Sequence, residues 1–533
     1  MPVTGRLTGR VTGRVTGRVT GRLAVTGGLV ADGTGAEPVP GTVLIDGDRI
    51  TAVLPPGATP SGAEVIDATG NIVAPGFIDL HSHADFSLRT SPAAESQLAQ
   101  GVTTLVAGNC GWSPFPITDL ETLRAGTAFL GPKHDWSWTD LAGFGATVES
   151  AVNLALQVGH CTLRIAVMGN ARRAPSPDEL RQMQELLRAA ADQGAVGFST
   201  GLIYAPGAYA SPEEVAALVA TAAECGLLYS THIRNEGAGL LAALDEAISA
   251  ARAGGARLEI SHLKAVGKAN HGLVAAALER LEQADDLDVG WDAYPYTATS
   301  TTLTTRLPTW ALADGALLDR LADPTERKRI AEALRADTLL SPDSVVIASL
   351  PPGPYEDSRG LSLTEIARRD EVDAAEIVLR ILENHQAAVS VVNHAMSEDD
   401  VITVLEHPRT AIASDGWIMD ATGPGHPHPR NFGTFPRVLG HYARELDIFS
   451  LAEAIRRMTS LPASRLGLSD RGTIKPGAIA DLVVLNPTTI ADKSTYDAPW
   501  QLSVGVEHVL VAGRLALSNG RPTGQRPGRV LTS

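Results

Sequence analysis

From residue 73 to residue 414 the chain alternates short apolar runs with longer amphipathic stretches, the pattern of successive βα units. Apolar runs predict strands over 73–80, 103–107, 163–168, 196–200, 227–231, 258–261, 287–291, 389–393 and 410–414. Helical periodicity predicts helices over 178–192, 211–225, 238–254, 363–384 and 397–406. About eight such units suit a (β/α)8 barrel of the TIM type, assigned to 75–466. The segment 297–362 breaks the rhythm with Thr-rich and Pro-rich loops around a charged helical stretch near 324–336. It reads as an insertion over the barrel mouth.

The flanks have another texture. Residues 23–74 carry short strands such as Thr42–Ile45 and Glu64–Ile66, with Asp46-Gly47-Asp48 as a turn. Residues 467–525 repeat that texture in Asp481–Leu485 and His508–Ala512. The two flanks are expected to pair into one small β-sandwich. Residues 1–22 repeat a four-residue unit ending in Thr-Gly-Arg, a period that matches no packed element, and read as a disordered extension.

Composition narrows the function. The 533-residue chain is 44% hydrophobic and 20% charged, as expected of a globular protein. It has no run of 18 or more apolar residues and no apolar core of a secretory signal. Its 60 acidic residues outnumber 44 basic ones for a formal charge of −16, and leaving out the five repeat arginines makes this −21. Such acidity argues against nucleic acid and anionic membrane as partners. Three cysteines cannot build a disulfide framework, which fits a reducing cytoplasm.

The ends of the candidate strands carry the chemistry. In a barrel of this kind the carboxyl ends converge on one face. The first strand runs into Asp79-Leu-His81-Ser-His83, two histidines at the spacing that places side chains on one face of a strand. Later ends read Gly108-Asn-Cys110-Gly111, Ser230-Thr-His232, Ser261-His262 and Ser414-Asp415-Gly416. Imidazole and thiolate are zinc ligands, and catalytic zinc sites keep a position open for water. Zinc lowers that water's pKa to about 7, and a nearby carboxylate can relay its proton to a leaving amine. Asp415 is the candidate carboxylate.

The chain resembles the amidohydrolase superfamily and, within it, the N-acyl-D-amino-acid deacylases (D-aminoacylases). The likeness rests on Pro75–His83, Gly101–Gly111, Gly197–Tyr204, Thr231–Gly237, Ser261–Lys264, Asp292–Tyr296, Ser414–Gly416, His428–Pro436 and Gly472–Asp481. It implies hydrolysis of N-acyl-D-amino acids to a carboxylate and a D-amino acid, by zinc-bound hydroxide with Asp415 as general base and acid. It further implies one tightly bound Zn2+ on Cys110, His232 and His262, with a weaker or vacant second site on His81, His83 and Asp415. Tyr204, Lys264 and Arg430 would bind the substrate α-carboxylate, for which Arg is suited by its bidentate geometry and Lys by its point charge. Arg306 departs from the pattern: members that take aliphatic or aromatic substrates are expected to be apolar there. An arginine lining the pocket would favour D-glutamate or D-aspartate, whereas one on the surface of the insertion would not. The alternative activity is cyclic-amide hydrolysis of the hydantoinase or dihydroorotase type. Those enzymes carry a bridging lysine on the fourth strand, where this chain has Ser199-Thr200-Gly201. A non-catalytic scaffold that kept the barrel would be expected to have lost ligands. The partner expected is the small-molecule substrate, with oligomeric state left open.

Overall fold

The computed structural model describes residues 22–58, 61–128 and 136–532. Of the N-terminal repeat only Arg22 lies among them, and the expected disordered extension falls outside the described residues. Eight parallel strands form the barrel: Phe77–Asp79, Val102–Ala107, Asn153–Gly159, Gly197–Gly201, Leu228–His232, Leu258–Ile260, Val289–Ala293 and Thr410–Ile412. Each pairs in parallel with the next. The seam between the eighth and first strands closes just past their ends. There the Asp415 N–H donates to His81 O (2.8 Å) and the His83 N–H to Gly416 O (2.8 Å).

Helices wrap the barrel close to their expected places, at Pro177–Asp192, Pro212–Glu224, Leu240–Gly254 and Glu398–Glu406. Ser176, Ser211 and Ser397 each cap one of these by accepting from a first-turn backbone N–H. The apolar faces meet one contiguous core running from Phe77 through Phe198 and Tyr229 to Trp291.

Three sequence expectations need correction. Residues 163–168 are not a strand: they belong to the helix His160–Met168, and the third barrel strand lies just before it at Asn153–Gly159. Both runs are short and apolar, and periodicity alone does not separate a buried strand from a buried helical turn. Residues 390–394 do form a strand, but outside the barrel. It lies between Ala298–Thr302 and Val345–Ser349, antiparallel to both. The helix expected over 363–384 is two helices, Leu363–Arg369 and Ala374–Asn384, each with its own capping residue, Ser362 and Asp373. Both belong to a second core that includes Leu303, Ile347, Ile366, Leu382 and Val391. The inserted unit therefore continues past residue 362 to about Ala395, and the eighth barrel strand is Thr410–Ile412.

The flanks pair as expected. Ile72–Pro75 runs antiparallel to Leu482–Leu485, joining a seven-stranded sheet that faces a four-stranded sheet built from residues 22–67. Val25, Val43 and Val73 share their core with Leu482, Val484 and Leu510. The apolar run 73–80 is split between domains. It breaks at Gly76, whose N–H donates to Asp481 O and whose absent Cβ would stand 2.2 Å from Thr103 Cγ2. After the sandwich the chain returns to the barrel, where Val530–Leu531 pairs with Leu154–Ala155.

Candidate metal centre

Strand ends bring the ligand-type residues together. Cys110 Sγ lies 3.4 Å from His81 Nε2, 3.6 Å from His232 Nδ1 and 3.5 Å from His262 Nε2. Asp415 Oδ1 lies 3.1 Å from His83 Nε2 and 3.5 Å from His81 Nε2. The donors fall into two overlapping groups, Cys110 with His232 and His262, and Cys110 with His81, His83 and Asp415. Cys110 is common to both. Three of these residues hold the left-handed backbone that side chains disfavour: Cys110 (φ 54°), His262 (φ 39°) and Asp415 (φ 49°). Such strain persists where the surroundings enforce it, and it clusters at functional sites.

The spacing suits zinc. Ligands at about 2.3 Å for sulfur and about 2.05 Å for nitrogen, set at a tetrahedral angle, stand about 3.6 Å apart. The three Cys110–histidine separations of 3.4–3.6 Å match that value.

Above the cluster lies a cavity of about 440 Å³. Cys110, His83, His232, His262 and Asp415 line its floor, while His81 lies beneath with none of its surface exposed. Tyr204, Lys264, Arg430 and Arg306 all line its walls. Arg430 Nη1 donates to Asp415 Oδ2 at 2.7 Å, and the Tyr204 hydroxyl meets Thr301 Oγ1 at 3.1 Å. Residues of the inserted unit, among them Thr301, Leu307, Leu312 and Leu340, complete the mouth. Arg306 is not on the outer surface of that unit. Its side chain is 9% exposed and pairs with Asp337 at 2.8 Å.

A profile of the amidohydrolase family matches residues 64–338 and 364–516. The chain belongs to the amidohydrolase family. This amidohydrolase is 38% identical to an N-acyl-D-glutamate deacylase of Alcaligenes xylosoxydans xylosoxydans, over 96% of each chain. It is 34% identical to a D-aminoacylase of the same organism, over 96% of this chain and 97% of the other. Among solved structures it is similar to an N-acyl-D-glutamate deacylase from Bordetella bronchiseptica complexed with zinc and a phosphonate inhibitor. The TM-score there is 0.82 at 36% identity, covering 96% of this chain and 99% of that one.

Burial dominates the electrostatics of the amidohydrolase site. It pushes His81 down to about 3, His232 well below and His262 below the usual histidine range, a direction that favours the neutral ring with a lone pair to offer. Burial also drives the Cys110 thiol well up. A cation among these donors would reverse that, since a coordinating thiol is deprotonated. Burial pushes Asp415 up too, but Arg430 and the histidines outweigh it and hold the carboxyl well below its ordinary value.

The reading of strand ends assigns no role to three further residues at the site. Asp79 fastens the barrel seam: its carboxylate accepts from the Ser414 N–H (2.9 Å) and hydroxyl (2.5 Å), while burial raises its pKa to about 7. Asp292, in the seventh strand, accepts from the His262 N–H (2.8 Å) and lies 3.4 Å from His81 Nδ1. It stands just past the expected strand 287–291 and so carries the same mark as the other strand-end residues. Glu236 stands behind the histidines, four residues after His232 and within the segment Thr231–Gly237, with no strand end to mark it.

Proposed function

We propose that this amidohydrolase is a zinc-dependent hydrolase of N-acyl-D-amino acids that releases a carboxylate and a free D-amino acid. One observation carries the reading. The Cys110, His232, His262 and Asp415 cluster opens into the same cavity as Lys264, Tyr204 and Arg430. Three groups able to hold an α-carboxylate thus stand over three zinc ligands and a base. The relatives that share nearly the whole chain are named for this chemistry. We assign the tighter site to Cys110, His232 and His262, and a second, weaker site to His81, His83 and Asp415.

Zinc, when bound, supplies Lewis acidity toward the acyl carbonyl and makes hydroxide available near neutral pH. The side chains do the rest. Lys264, Tyr204 and Arg430 fix the α-carboxylate and so orient the amide over the cluster. Asp415, kept ionised by Arg430 and its histidine neighbours, accepts the proton of the attacking water and returns it to the leaving nitrogen. Arg306 in the cavity wall suits an acidic substrate side chain, with Asp337 holding the guanidinium in place. The reaction takes place in a protein in which no described helix is long and apolar enough to cross a membrane. Its three free cysteines agree with the cytoplasm as the working compartment.

Backbone packing weighs against cyclic-amide hydrolysis by a bridging lysine. A Cβ on Gly201, at the end of the fourth strand, would fall 1.9 Å from Cys110 O. The main chain of Cys110 occupies the space that a longer side chain at that position needs. Assaying a panel of N-acetyl-D- and N-acetyl-L-amino acids alongside a metal count tests the proposal. Turnover of D-substrates by protein carrying about one zinc per chain is expected. Turnover of a hydantoin and of no D-substrate would overturn it.

A further inference from the structure

Glu236 faces the cysteine-centred cluster from behind. Its Oε1 lies 3.2 Å from His262 Nδ1 and 2.5 Å from Lys264 Nζ, and its Oε2 lies 3.6 Å from His232 Nε2. The other nitrogen of each ring faces Cys110, Nε2 of His262 and Nδ1 of His232. One carboxylate therefore stands at the outer edge of both histidines and also touches the lysine of the proposed carboxylate grip. Lys264 Nζ lies in addition 2.7 Å from His262 Nδ1.

That last contact is incompatible with a metal-loaded His262. A neutral imidazole carries one proton, and when one nitrogen gives its lone pair to a metal the proton must sit on the other. With His262 Nε2 engaged, Nδ1 bears a hydrogen and cannot accept from the ammonium of Lys264. It can donate to Glu236 Oε1. In His232 the nitrogens are exchanged, and its Nε2 faces Glu236 Oε2 at 3.6 Å, close enough for electrostatic attraction but too far for a hydrogen bond.

We infer that Glu236 is a positioning residue that links metal binding to carboxylate binding. It fixes the proton-bearing nitrogen of His262 and attracts that of His232 from 3.6 Å. By accepting the hydrogen bond from His262 Nδ1–H, it leaves Lys264 with an ammonium hydrogen free to point into the cavity while its Glu236 contact keeps it in place. Glu236 acts on the reaction only through these three neighbours. The inference rests on the zinc-deacylase reading.

The test compares zinc-loaded wild type with E236Q, E236D and K264M, measuring zinc affinity by chelator competition and kcat and KM on an N-acetyl-D-amino acid. E236Q carries no charge to hold the His262 Nδ1–H or to attract His232, so its zinc affinity should fall 10–100-fold, the range seen when partners of metal ligands are removed. Its KM should rise as well. E236D, which keeps the charge, should recover part of both losses. K264M should raise KM with zinc affinity unchanged. Zinc affinity within twofold of wild type in E236Q overturns the role. Should E236Q fail to fold, as judged by melting of the metal-free protein, an unaltered affinity in E236D overturns it equally. Zinc uptake is read without substrate, so a protein that loads zinc normally and turns over no D-substrate refutes the substrate assignment alone. A wild type that takes up no zinc refutes both.

Discussion

Replacing Asp415 with Asn tests the proposed base with little change of shape. Asn tolerates the left-handed backbone at this position (φ 49°) about as well as Asp does, so the fold is not disturbed. The amide keeps one oxygen for a neighbour but cannot accept a proton. A positioned general base contributes 10²–10⁴-fold, equivalent to about 2.7–5.4 kcal/mol of barrier at 1.36 kcal/mol per tenfold. A second effect runs the other way. Arg430 loses its charge partner at 2.7 Å, and a hydrogen bond to a charged group is about 1 kcal/mol stronger than a neutral one. The released guanidinium is freer to hold a substrate carboxylate, so KM should stay level or fall. Steady-state kinetics on an N-acetyl-D-amino acid, with metal content and melting temperature measured in parallel, separate the two effects. The expected result is kcat down by 10²–10⁴ with zinc retained. A kcat within tenfold of wild type, or a loss expressed only in KM, refutes the assignment of Asp415 as base.

Removing the positive charge in R430M should let the Asp415 pKa rise. The acid limb of kcat at saturating substrate should then shift to higher pH, and a limb that stays put or moves down contradicts the pairing. R306L should reduce activity on N-acetyl-D-glutamate more than on N-acetyl-D-leucine, and equal losses on the two substrates would remove Arg306 from substrate selection. G201A should force Cys110 to shift, because the new Cβ would fall 1.9 Å from its carbonyl oxygen. Bound zinc, measured by elemental analysis after dialysis, should drop at least tenfold; full occupancy at wild-type affinity would show that the Cys110 main chain need not stay where it is.

The barrel and its candidate ligands were legible for one reason: parallel strands are apolar along their length and change character abruptly where they end. His232 closes the fifth strand, and His81, Cys110, His262 and Asp415 stand two or three residues past theirs. Other features left no comparable mark. The run 163–168 is as apolar as a strand because the helix that contains it is buried against the barrel. Residues 390–394 carry a strand's pattern, which says nothing about which sheet they join. Glu236 lies in a loop, and its importance comes from three neighbours brought together by folding, two of them more than 20 residues away along the chain.

The antiparallel pairing of Ile72–Pro75 with Leu482–Leu485 has a consequence for how the protein is made. The two strands lie about 400 residues apart, so at 5–20 residues per second the ribosome needs roughly 20–80 s to deliver the second after the first. During that interval Val25, Val43 and Val73 lack the C-terminal half of their core, and one edge of Ile72–Pro75 has no native partner. Proteins with such long-range pairing fold slowly and are exposed to aggregation while they wait. A chain that stops after residue 466 would hold every residue of the candidate metal cluster and still leave this sheet open.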